Sequence, residues 1–155
     1  MNTSSLLLTA TLLGALAACT PATELQATVT PPVAVPGLLG QWQLDSASQL
    51  QDIPRDITLS IRKAHSKYDG SLRITGYSGL NEYVSNARVD AAQQRFILST
   101  QIATTQKWGP QPRRDFEQAY LDSLDGVVSY QLAADTKMTL ITLKGDTLQF
   151  HKVDD

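Results

Sequence analysis

The chain has 155 residues, with 13 basic and 15 acidic side chains, a net charge of −2 and a single cysteine. That size suits one globular domain. The basic residues are scattered, seven before Gln101 and six after it, so no patch for nucleic acid stands out. One cysteine also excludes a disulfide framework or a thiolate metal cage.

From Leu6 to Ala18, 13 residues carry no charge and are rich in Leu and Ala. A helix of that length spans about 20 Å, short of the ~30 Å hydrocarbon core of a bilayer. Residues 1–18 therefore read as a removable leader rather than a membrane span, although Met1 to Ser5 carries no Lys or Arg. The run closes on Leu16-Ala17-Ala18-Cys19, and small-small-Cys resembles the lipobox of bacterial lipoproteins. The resemblance implies cleavage before Cys19, lipidation of its sulfur and acylation of the new amine. The competing reading is a free thiol beyond a leader cut elsewhere. Two or three acyl chains, at ~0.8 kcal/mol per buried CH₂, hold a protein on a membrane where one does not. Thr20 after the cysteine, by resemblance to Gram-negative lipoproteins, implies the outer membrane, with the domain facing the periplasm.

Thr20 to Gly37 contains four prolines, four threonines and one charge. Proline blocks helix and interior strand, and an extended chain reaches ~3.1 Å per residue. Residues 19–37 are thus expected to be an anchor and spacer. The roughly 115 residues beyond them should bury about two-thirds of their unfolded surface, enough for a core without staples.

The expected domain, residues 38–153, opens with Gly40 to Leu44, where Trp42 and Leu44 share the core face of a half-buried strand. Ile57 to Arg62 alternates apolar and polar without a break. Asp69-Gly70 offers a turn into a second alternating run, Leu72 to Tyr77, with His65 near the hairpin's far end as a solvated residue. In Gly76 to Tyr83, two glycines allow positive φ or close backbone approach, and Asn81 can bond the local backbone; this reads as a tight connection. Asn86 to Val89 and Arg95 to Ser99 flank a polar turn, and Gln101 to Thr105 either prolongs the second arm or leaves the sheet.

Gly109-Pro110-Gln111-Pro112 breaks the chain before a helix expected over Arg113 to Leu124. Phe116, Ala119, Tyr120 and Leu124 recur there at helical spacing. Asp115 and Glu117 are expected in its first turn, where the dipole favours negative charge, and Gly126 is its stop. This helix should cover a sheet face or plug one end of a barrel. Val127 to Leu132, Met138 to Leu143 and Thr147 to His151 are three further strands, the last two joined by a Gly145-Asp146 turn. His151 reads as a surface residue.

The order of these pieces resembles the META domain, the family of the bacterial heat-shock protein HslJ. The resemblance rests on Gly40-x-Trp-x-Leu44, on Gly76-Tyr-Ser-Gly-x-Asn-x-Tyr83, on Ile102-Ala-Thr-Thr105 and on the helix through Phe116 and Leu121. Leu124-x-Gly126 and Asp146-Thr-Leu-Gln-Phe150 complete it. It implies an α+β, mainly β fold: a small antiparallel sheet or partly closed barrel with one amphipathic helix packed on it. Members commonly carry a Cys after the second glycine and another before the helix; here those positions hold Leu80 and approximately Gly109, so no redox role carries over. Gln106 replaces the usual Arg after the Thr pair. Members are often exported or lipid-anchored and are linked to heat shock, antibiotic tolerance or virulence. No catalytic residue transfers.

The residues themselves show no Ser-His-acid or His-x-x-x-His arrangement, so no catalytic residue, cofactor or metal site is expected. Asp122 and Asp125 are one turn apart and read as a solvated helix face. A non-catalytic envelope-stress module, held to the membrane through Cys19 and able to meet an envelope protein, is the expected function. The alternative is a periplasmic inhibitor of a cell-wall lytic enzyme. A binding surface would fall at Tyr77, Asn81, Tyr83 and Trp108, in or beside Gly/Pro-rich connections, unless the tyrosines pack against the sheet.

Overall fold

The computed structural model describes residues 35–64 and 71–153. The leader, Cys19, the spacer to residue 34, His65 and Asp69-Gly70 lie outside the described residues. A short 3₁₀ turn, Pro36–Leu38, leads into β1 (Gly40–Ala47), β2 (Thr58–Lys63), β3 (Ser71–Tyr77), β4 (Glu82–Asp90), β5 (Arg95–Leu98) and β6 (Ala103–Thr104). The helix α1 (Gln111–Asp125) follows, then β7 (Val127–Ala133), β8 (Lys137–Thr142) and β9 (Thr147–Val153).

Every pairing is antiparallel, and β3 pairs with both β2 and β4. The run β3-β2-β1-β9-β8-β7-β5-β4 therefore returns on itself as a closed eight-stranded barrel, with β6 bonded to the first half of β4. The ring is narrowest between β5 and β7, where the register is the single pair Arg95–Ser129 and the Tyr130 N–H donates to the Gln94 carbonyl at 2.9 Å.

Alternation sends one side chain in two to the axis. Leu59 and Ile61 of β2, Leu72 and Ile74 of β3, and Leu148 and Phe150 of β9 are buried there. A barrel of eight strands has an interior just wide enough for side chains to fill it, and Trp42, Phe96 and Phe150 do so. Trp42 is wholly buried, and its indole N–H donates to the Leu38 carbonyl at 3.0 Å, which satisfies the one polar atom that burial would otherwise orphan.

Two strands depart from the sequence expectation. β4 begins at Glu82 rather than Asn86, because pairing with β3 continues to Tyr77–Glu82, beside the turn. After Leu98 the chain leaves the ladder: Ser85 Oγ donates to the Thr100 carbonyl at 2.8 Å and the Asn86 N–H to Thr100 Oγ1 at 3.0 Å. It then pairs again as β6, where Val84 faces Ala103 and Tyr83 faces Thr104.

The helix starts two residues earlier than expected, with Pro112 inside its first turn. Proline fits there, since its missing N–H has no intrahelical partner at that position. In consequence no acid occupies the first turn, and Asp115 and Glu117 do not complement the dipole as the sequence suggested. Asp115 accepts from Gln111 Nε2 at 2.6 Å instead. The helix does end at Gly126, whose N–H bonds the Asp122 carbonyl at 3.1 Å. Tyr120 and Leu124 are fully buried, with Phe116 and Leu121 packed at their edge, so α1 caps the barrel at the β3–β4 turn. Among the described residues no helix is long and apolar enough to cross a membrane.

Candidate functional site

The Gly76 to Tyr83 stretch is built around a phenol. Gly76 lies between Leu59 of β2 and Tyr83 of β4, and the Tyr83 hydroxyl donates to the Thr58 carbonyl at 2.9 Å. A Cβ on Gly76 would lie 2.1 Å from that carbonyl oxygen and 2.5 Å from the Tyr83 hydroxyl. Only glycine leaves room for this bond. Gly79, at φ +92°, turns the chain in a region that side chains rarely adopt.

The polar residues of the turn face the helix. Glu117 accepts from the Ser78 hydroxyl, from the Asn81 N–H at 3.0 Å and from Asn81 Nδ2 at 2.9 Å. Asn81 Oδ1 accepts in turn from Thr105 Oγ1 at 2.9 Å and the Lys107 N–H at 2.7 Å. One asparagine thus ties the β3–β4 turn, the segment after β6 and α1 together. Above it the Tyr83 and Tyr120 hydroxyls meet at 2.9 Å with their rings edge-on. Burial pushes both phenols above their ordinary pKa, Tyr83 also because Tyr120 lies beside it. They are held as neutral hydrogen-bonding groups.

Of the four residues expected to form a surface, Asn81 and Tyr83 are buried in this network, Tyr77 faces the opposite side of the sheet, and Trp108 stands 85 % exposed. The Arg114 guanidinium lies 4.2 Å above the Trp108 ring. Leu80 packs over Gly109: a Cβ there would lie 2.5 Å from Leu80 Cδ1. Leu80 and Gly109 are thus neighbours, a large side chain covering a position with none. His151 is half-exposed, with Nδ1 against Asp45. Asp122 accepts from Gln118 Nε2 at 2.7 Å, and among the described residues no three potential metal ligands cluster.

The outer face of the same strands holds an open trough of about 790 Å³. Register builds it. Ser60, Thr75, Val84 and Ala103 face one another in sequence across β2, β3, β4 and β6, with Gln41 of β1 beside Ser60. This row of mostly small side chains is the floor. One wall is the next row, where Arg62 stands opposite Arg73. The other is the row before it, Thr58, Tyr77 and Glu82. Like charges directly opposite on a sheet repel, and among the described residues neither arginine has a carboxylate partner. Ser60 Oγ is buried on the floor with no hydrogen-bond partner. Thr58 Oγ1 accepts from the Tyr77 N–H at 3.2 Å, which fixes the Tyr77 end of the wall. Sequence reasoning passed over Ser60, Arg62 and Arg73; each is an ordinary polar position of an alternating strand, and only the pairing places them together.

Comparison with solved structures finds an NMR structure of a protein from Burkholderia xenovorans at 23 % identity and a TM-score of 0.60, covering 76 % of this chain and 85 % of that one. A DUF4847 family protein from Bacteroides vulgatus matches at 12 % identity and a TM-score of 0.48, covering 76 % and 96 %. The first likeness concerns the fold alone. No curated protein matches the sequence. The META domain profile matches residues 37–155, the whole of the barrel and its helix, and the chain belongs to the META domain family.

Proposed function

We propose that this META domain protein is exported, anchored to the cell envelope through a lipidated Cys19, and acts there by binding rather than catalysis, in envelope stress or antibiotic tolerance. The observation that carries the reading is a division of labour among polar groups. Glu117, Asn81, Tyr83 and Tyr120, which could have served chemistry, are each engaged in bonds that hold the helix on the barrel. The trough on the outer face is lined by Arg62 and Arg73, opposite each other in the register and neither paired with a carboxylate among the described residues. An open trough lined by two such arginines supports a surface completed by a ligand. Small-small-Cys at the end of the apolar run supports the anchor.

The test combines chemistry and location. Intact mass of the membrane-extracted protein should show loss of residues 1–18 and the added mass of acyl chains, and Cys19→Ser should release the domain from the membrane fraction. In cells lacking the protein, the full chain should restore tolerance of envelope stress and the Cys19→Ser chain should not. An unmodified thiol on a chain still beginning at Met1 overturns the proposal.

A further inference from the structure

Resting on the reading of the protein as a binding module, we infer that the trough takes an acidic glycan: a chain of sugar rings carrying carboxylates along one edge. Its floor crosses β1, β2, β3, β4 and β6 at right angles to the strands. Four inter-strand steps give a length of about 19 Å, room for several sugar rings laid end to end.

The walls set the orientation. Arg62 and Arg73 stand opposite each other in the register on one edge of the trough, and a guanidinium fork receives a carboxylate in a pair of hydrogen bonds. A ligand carboxylate there also relieves the repulsion between the two cations. On the opposite edge Tyr77 presents an aromatic surface and Glu82 an acceptor for sugar hydroxyls. An anionic group is excluded from the Glu82 edge by charge, so a ligand acidic on one edge and hydroxylated on the other fits in one direction only. On the floor, the Thr75 hydroxyl and the Gln41 amide can both donate and accept, matching the alternating demands of sugar hydroxyls.

An acidic peptide is the competing occupant, and topology disfavours it. Peptides gain most from extending a sheet at a free edge. In this closed barrel β2, β3 and β4 are each bonded on both sides, and the free edge at β6 is only two residues long, so the trough offers side chains and hardly any backbone ladder.

The experiment is calorimetric titration of the full chain with a uronic acid hexamer, a neutral glucose hexamer and a glutamate hexapeptide. The uronate hexamer should bind, and the glucose hexamer and hexapeptide should each bind at least tenfold more weakly. Arg62→Gln and Arg73→Gln should each weaken uronate binding at least tenfold, with melting temperatures at or above that of the parent. Failure of the uronate hexamer to bind, binding indifferent to either arginine, or equal binding of the hexapeptide overturns the inference. The double variant Arg62→Gln/Arg73→Gln, returned to cells lacking the protein, separates this failure from that of the wider reading. No uronate binding together with lost tolerance discards the glycan and keeps the binding module. Uronate binding with intact tolerance keeps the glycan and discards the role.

Discussion

The inner and outer faces of β2, β3 and β4 treat polarity in opposite ways. Toward the axis and the helix, the hydroxyls of Ser78, Tyr83 and Tyr120, the amide of Asn81 and the carboxylate of Glu117 all find partners. On the outside, two residues away along the same strands, Ser60 has no partner and two arginines face each other. The contrast follows from barrel size. Here the space inside eight strands is taken by Trp42, Phe96 and Phe150, while the outer trough stands open.

The sharpest way to break the inner face is Gly76→Ala. The added methyl meets a backbone oxygen and a buried phenol rather than a flexible side-chain tip, so relief requires strand movement and loss of the Tyr83–Thr58 bond. We expect a loss of about 3 kcal/mol or more, read as a fall in the urea midpoint. Glu117→Ala comes next. It strands two donors of Asn81, while the Ser78 hydroxyl keeps its bond to the Asn81 carbonyl, and should cost about 2–3 kcal/mol, with α1 amides losing protection from hydrogen exchange before the strands do.

The tyrosine pair sharpens the comparison by pH. Both phenols stay protonated in the folded state beyond their ordinary pKa. The unfolded chain sheds those protons once pH passes about 10 and then binds fewer than the folded chain, so stability falls as pH climbs above that value. Below it the pair contributes no pH dependence. Tyr83→Phe/Tyr120→Phe should be less stable at neutral pH by about 1–2 kcal/mol and should flatten the alkaline decline in melting temperature. Outside, the sign reverses. Ser60→Ala removes an unpartnered hydroxyl and should leave stability unchanged or raise it by up to about 1 kcal/mol. The smallest effect belongs to Gly109→Ala: its methyl meets only the end of the Leu80 side chain, which can rotate away, so the change should stay within about 0.5 kcal/mol.

The strands were legible because a period of two is written locally. Thr58 to Lys63, Ser71 to Tyr77 and Thr147 to Val153 each show it without reference to a partner. Elements whose extent depends on a neighbour were not. The first residues of β4 and the two residues of β6 are strand only because β3 and β4 present bonding edges to them. Pro112 read as a breaker ahead of the helix because the sequence alone does not separate that role from the first turn. Glu117 reads locally as a dipole residue because its partners lie 36 and 39 residues away. The trough was hidden by register. A two-residue turn at Asp69-Gly70 would set Arg62 opposite Tyr77, whereas the observed pairing sets it opposite Arg73.

The thin join between β5 and β7 has a consequence for how the molecule breathes. Every other neighbour around the ring is zipped along several residues, while this one holds by Arg95 with Ser129 and the bond from Tyr130 to Gln94. Local opening starts where the fewest bonds must break together, so the cylinder should part there first and briefly become an open, curled sheet. The Tyr130 amide should then trade its proton for deuterium well ahead of those in β8 and β9, and a crosslink across that gap should slow unfolding more than one placed anywhere else on the wall.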